Sequence, residues 1–89
     1  MTREQMRRRL AEILQVESIK KGDFVLASGR RSNYYLDCRR TTLHPEGAYL
    51  VGKLVLDAVD RRGWGATAVG GLTLGADPIA TAAAVVSYL

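Results

Sequence analysis

Eighty-nine residues allow one domain at most, and a chain this short buries only about 60–65% of the surface it exposes unfolded, so its core is marginal unless something else covers it. The 47% apolar fraction is ordinary for a soluble chain, and no run of about 18 apolar residues marks a membrane span. A net charge of +4 suits nucleic acid or a phosphate-bearing small molecule without choosing between them, and the lone Cys38 excludes an intramolecular disulfide and a cysteine-spaced metal site.

Thr2 and Gln5 read as a capping box, and Met6, Leu10, Ile13 and Leu14 fall at i, i+4, i+7 and i+8, one apolar stripe on a first helix that frays near Ser18. The basic start is followed by alternating charged and apolar residues instead of an apolar stretch with a small-residue cleavage site. That argues against a secretory signal and predicts a cytoplasmic chain. Arg7, Arg8 and Arg9 are an anion patch on one reading; a solvated helix face, the commoner fate of charge runs, is preferred.

Lys20, Lys21 and Gly22 are a predicted turn. Phe24, Val25, Leu26 and Ala27 have strand composition, residues 28–33 supply turn chemistry, and Tyr34, Tyr35, Leu36 and Asp37 resume a strand, so the two runs pair as a hairpin. The adjacent tyrosines point to opposite faces, which leaves one ring to pack and the other to meet a ligand or partner. An aromatic beside the basic loop could stack a planar anionic ring or a nucleic-acid base; a plain aromatic hairpin edge stands equally well on composition. Cys38 is expected to be a half-buried small apolar residue.

Residues 39–43 are a polar connector, and Pro45 is the first residue of a helix running to Arg62 and stopped by Gly63. Its buried stripe is Ala48, Val51, Leu54, Val55, Ala58 and Val59. His44, the only histidine, could act as a general base, but without an acid or nucleophile nearby in sequence it reads as a helix-start residue.

Residues 66–70 are short and apolar, the pattern of a buried parallel strand. Then Gly70, Gly71 and Gly75 bend the chain and Asp77, as N-cap, with Pro78 opens a last helix over 78–89, so that backbone N–H groups converge in the manner of a phosphate-binding loop. Every Lys, Arg and Glu lies at or before Arg62, and beyond it only Asp77 is charged. A helix this apolar on all sides is expected to be sandwiched. A parallel strand needs parallel neighbours, so the chain is expected to be the front part of an α/β domain.

Three stretches in order, residues 24–37, 42–47 and 70–80, resemble the N-terminal half of bacterial orotate phosphoribosyltransferases. The resemblance implies a type I phosphoribosyltransferase fold, α/β with a parallel sheet and an N-terminal hood of helix plus β-hairpin. The hood would take about residues 1–42 and the start of the core about 43–89. It implies Mg²⁺-dependent transfer of ribose phosphate from phosphoribosyl pyrophosphate to a ring nitrogen of orotate, forming orotidine monophosphate and pyrophosphate, in a homodimer. By similarity Ser28, Gly29, Arg30, Tyr35 and Leu36 face orotate. Gly71, Leu72, Thr73, Leu74, Gly75 and Ala76 form the loop whose backbone grips pyrophosphate, often through an unusual peptide geometry. The resemblance assigns no catalytic side chain and no metal ligand to these residues.

Two departures accompany it. Ala27 stands where many relatives carry a lysine, and neither the acidic Asp-Asp…Thr-Thr-Gly motif for the ribose 5′-phosphate nor the flexible basic loop is present. A fragment of a longer product, or a truncated gene, is therefore expected, inactive by itself. The competing readings are a phosphoribosyltransferase-fold regulator that binds ligand without turnover, and a basic nucleic-acid-binding module using Arg30, Arg31 and Tyr35.

Overall fold

We describe residues 1–89 from a computed structural model. The first helix, α1 (Arg3–Ile13), begins at a complete capping box: the Gln5 N–H donates to Thr2 Oγ1 at 3.1 Å and the Thr2 N–H donates to Gln5 Oε1 at 2.8 Å. It does not fray near Ser18. It widens into a π-helical turn, Leu14–Ser18, and passes without a loop into β1 (Ile19–Val25). The expected turn at Lys20, Lys21 and Gly22 is thus strand instead. A register shift between Lys21 and Phe24 absorbs Gly22 and Asp23, so what composition suggested as a turn is an irregularity inside the strand.

β1 pairs antiparallel with β2 (Arg31–Leu36), matching Ile19 to Leu36 and Val25 to Arg31. Leu26 and Ala27, expected in the first strand, lie in the connecting turn, where the Leu26 N–H donates to Arg30 O and the Gly29 N–H to Leu26 O, both at 2.8 Å. Gly29 sits at φ +83°, a conformation that costs other residues their Cβ clearance.

The connector holds one helical turn, α2 (Arg39–Thr42), whose Thr41 and Thr42 are buried. Thr41 Oγ1 and Ser18 Oγ share a hydrogen bond at 2.5 Å, which ties the hairpin base to α2. Cys38, expected half-buried, is exposed, because it precedes α2 on its outer side while the two threonines turn inward. Helix α3 (Pro45–Arg62) is capped by His44, whose Nδ1 accepts from the Gly47 N–H at 3.2 Å, and it ends at Gly63 with φ +64°.

Leu50, 1% exposed, packs with Met6 and Ile13 as the core, with Leu10 and Leu54 against it. The expected α3 stripe is only half-buried. The helix is instead gripped by α1, α2 and α4 (Asp77–Tyr88), and its deepest positions face them: Leu50 packs on α1, Gly47 stands against Thr41 and Gly52 against Ala82. A Cβ on Gly52 would stand 2.8 Å from Ala82 O and 2.9 Å from Val86 Cγ2, so the glycine sets the α3–α4 spacing. Helix α4 starts one residue early, with Ala76 at the cap and Asp77 inside the first turn, so Asp77 does not cap it.

Residues 66–70 form no strand and are exposed and unpaired. A central parallel strand has no ladder without its neighbours, and the only sheet in this chain is β1–β2. For the same reason α4 is not sandwiched: Ala83 is buried, while Val85, Tyr88 and Leu89 stand exposed. No helix is long and apolar enough to cross a membrane.

Candidate functional site

The hairpin presents the first candidate surface. Ser28 and Gly29 lie in the turn, where Ser28 Oγ accepts from the Arg30 N–H at 3.4 Å, and Arg30 follows, exposed and free of any ion pair, whereas Arg31 approaches Asp23 at 3.7 Å. On β2, Tyr35 and Leu36 are about half exposed. Tyr34 is too, so neither tyrosine is the inward-packed ring expected from alternation. A two-stranded ribbon with nothing stacked on it has no interior to offer. Tyr35 does lean on Phe24, ring centroids 5.8 Å apart and tilted by 41°. Phe24 therefore enlarges the aromatic face beside Lys20, Tyr35's partner across the strands, a pairing that depends on the Lys21/Phe24 register shift and was not read from the sequence.

The second candidate surface is the loop before α4. Gly71 is packed so closely that a Cβ would come within 2.6 Å of the Ala76 Cβ. The loop closes through the Ala76 N–H to Leu72 O at 3.0 Å and the Asp77 N–H to Leu74 O at 3.3 Å. The N–H groups of Gly71, Leu72, Thr73, Leu74 and Gly75 donate to no protein acceptor. The Thr73–Leu74 peptide is cis. Gly75 has open space around it, so at that position nothing in the chain itself demands a glycine. Unpaired N–H groups just before a twelve-residue helix are the kind of donors that can receive phosphate oxygens.

No hydrogen bond or ion pair joins the hairpin residues to this loop. Leu74 instead belongs to an apolar groove of about 760 Å³ along α3 and α4, with Tyr49, Val85 and Leu89 on its walls and Arg39 and Asp77 among its polar edges. No group of three His, Cys, Asp or Glu side chains is placed to hold a metal ion.

The arginine run divides. Arg7 and Arg8 are exposed, as a solvated face predicts, but Arg9 is a structural cation. Its Nε and Nη2 donate to the two Glu46 carboxylate oxygens, both at 2.8 Å, and its Nη1 to Glu12 at 3.0 Å. The paired guanidinium holds the Glu46 carboxyl below the usual carboxylate range, His44 adding to the effect, and the two carboxylates raise the Arg9 pKa in turn. Farther along α3, one Asp57 oxygen accepts from Arg61 at 2.9 Å and is ion-paired with Arg3 at the same distance, and these hold Asp57 below its ordinary value as well.

No family model matches the chain. It is similar to the orotate phosphoribosyltransferase of Rhodopirellula baltica, 50% identical over 74 residues, 79% of this chain and 38% of the relative. It is similar also to that of Nostoc sp., 48% identical over 82 residues, 92% of this chain and 38% of the relative. Among solved structures it superposes on Mycobacterium tuberculosis orotate phosphoribosyltransferase in complex with Fe(III) dicitrate, with TM-score 0.81 and 45% identity, over 88% of this chain and 45% of that one. The same enzyme in complex with 5-phospho-α-D-ribosyl 1-diphosphate gives TM-score 0.76 at 44% identity, over 88% and 44%. The chain thus spans about two-fifths of the length of the curated relatives it matches.

Proposed function

We infer that this chain, a segment of the orotate phosphoribosyltransferase family by its relatives and its fold, supplies two of the substrate-holding surfaces of such an enzyme. About residues 1–42 serve as the hood over the base, and about 43–89 begin the α/β core. The observation that carries the reading is identity of 45–50% over most of the chain, together with five consecutive unpaired N–H groups in the loop.

In the proposed reaction a bond forms between a ring nitrogen of orotate and the ribose carbon as the bond from that carbon to pyrophosphate breaks. Negative charge grows on the departing pyrophosphate, and donors fixed around it help most at the transition state. The N–H groups of residues 71–75 are such donors, held by the Gly71–Ala76 contact and the helix that follows. Orotate is flat and anionic. Tyr35, backed by Phe24, offers a ring face, the backbone of Leu36 offers strand-edge hydrogen bonds, and Ser28, Gly29 and Arg30 offer a polar turn with a free cation for the carboxylate. Bringing the two together in an attack geometry is where much of the acceleration arises.

Mg²⁺ would arrive with phosphoribosyl pyrophosphate and neutralise charge on its oxygens; backbone N–H groups cannot ligate a cation, and the chain gathers no ligand set of its own. A homodimer in the cytoplasm is the assembly we propose. The test is a chimera in which this chain replaces the matching part of the M. tuberculosis enzyme. Orotidine monophosphate should form only when orotate and phosphoribosyl pyrophosphate are both supplied. A folded chimera that binds neither would contradict the reading.

A further inference from the structure

The hairpin's attachment to the rest of the chain is sparse, and its geometry points to a role for two side chains that belong to neither candidate surface. β1 follows α1 with no intervening loop, through the π-helical turn, so the direction of α1 sets the direction of the hairpin. At the hairpin base one point is fixed: Ser18 is buried against Thr41, and the Asp37 N–H donates to Ser18 O at 2.9 Å, so both strands start from the same residue. One point fixes a position and leaves a tilt.

Met6 and Ile13, packed on Leu50, hold α1 against α3, and the tilt that this packing leaves is fixed by Arg9. It lies nine residues before Ser18, roughly 13 Å along a helix, and its guanidinium meets Glu46 through two parallel hydrogen bonds of 2.8 Å in the first turn of α3. A bidentate pair fixes orientation as well as distance, which an ammonium or a single hydrogen bond does not. Arg9 and Ser18 together define a line, and the hairpin continues it. Seven residues of strand reach about 23 Å beyond Ser18, so a tilt of about 10° would move the turn by roughly 4 Å, more than any substrate hydrogen bond tolerates.

We propose that Glu46 is a positioning residue: with Arg9 it aims the hairpin, and on the functional reading above it thereby sets where orotate is held while leaving the pyrophosphate loop alone. The Arg3–Asp57–Arg61 cluster also joins α1 to α3, but at the far end of α1 from the hairpin. It serves as the control, since a loss there leaves both Arg9 and Ser18 in place.

The test has two readouts. In the 89-residue chain, spin labels at Ala27→Cys and Lys53→Cys in a Cys38→Ser background measure the distance from the hairpin turn to α3. Glu46→Gln should broaden that distribution, and Asp57→Asn should leave it narrow. Equal broadening in both, or none in either, would overturn the proposal. In the chimera, Glu46→Gln should raise the KM for orotate, lowering kcat/KM by up to about a hundredfold, the cost that a misplacement of about 1 Å can carry, with the KM for phosphoribosyl pyrophosphate unchanged. A parallel rise in both would mean general destabilisation and overturn the positioning role. An unsubstituted chimera without turnover would instead remove the functional reading, and the spin-label distances would still decide the hairpin's dependence on Glu46.

Discussion

Single residues in this chain act chiefly by controlling how closely two pieces of backbone meet. Gly52 is the clearest case: its α-carbon faces Ala82 O, and backbone cannot step aside as a flexible side chain does. Gly52→Ala is expected to destabilise the chain by about 1–3 kcal/mol, the usual cost of overpacking, read as a lower urea midpoint. Leu50→Ala, at the most buried large side chain, should cost about 2–5 kcal/mol by the same measurement. The two ion-pair clusters act through protonation. Glu46 and Asp57 have carboxyl pKa values depressed in the folded chain, so the stability they contribute is present above the ordinary carboxylate range and is lost as pH falls through their folded values. Thermal midpoints should therefore drop on acidification below about pH 4, the ordinary carboxylate range. Combining Glu46→Gln with Asp57→Asn should lower the midpoint at neutral pH and flatten that acid limb. An unchanged slope in the double variant would show that other carboxylates carry it.

At the level of elements, what could be read from sequence was what depends on near neighbours. The capping box at Thr2 and Gln5, the Met6–Ile13 stripe, the Pro45 start and the Gly63 stop of α3 are decided by residues within one turn, and each stands where the pattern put it. The candidate loop was legible for the same reason, since glycine spacing and a following proline are local signals. The misreadings depend on partners distant in sequence. Lys20 and Lys21 are strand because β2 pairs with them; Leu50 and Gly52 are deeper than the predicted stripe because two helices press on α3; residues 66–70 are unpaired because no parallel strand lies beside them. Arg9 looked like one of three solvated arginines until Glu46, 37 residues on, came beside it. For the loop, Gly71→Ala puts a methyl against the Ala76 Cβ, so it should weaken pyrophosphate binding with little effect on the hairpin. Amide spectra of the variant should show changes confined to residues 70–78.

The whole molecule is open. Its radius of gyration is 14.8 Å, against about 12 Å for a compact domain of this length. Only nine of 89 residues are buried, while Val85, Tyr88 and Leu89 line up on one side of α4 beside the apolar groove. Contiguous exposed apolar surface of this kind drives association. Sedimentation velocity should show the 89-residue chain self-associating as concentration rises, and Val85→Lys should reduce that association while changing stability by no more than about 0.5 kcal/mol. A monodisperse monomer at every concentration would contradict this picture.

On the proposed function the chain carries two separate surfaces, one for pyrophosphate and one for orotate, and amide chemical-shift mapping of the ¹⁵N-labelled chain tests that division most directly. Pyrophosphate should move the N–H resonances of residues 71–76 and leave the hairpin unmoved. Orotate should move those of Arg30, Tyr35 and Leu36 and leave the loop unmoved. Shifts from both ligands at one common set of residues, or at Arg7 and Arg8 instead, would contradict it.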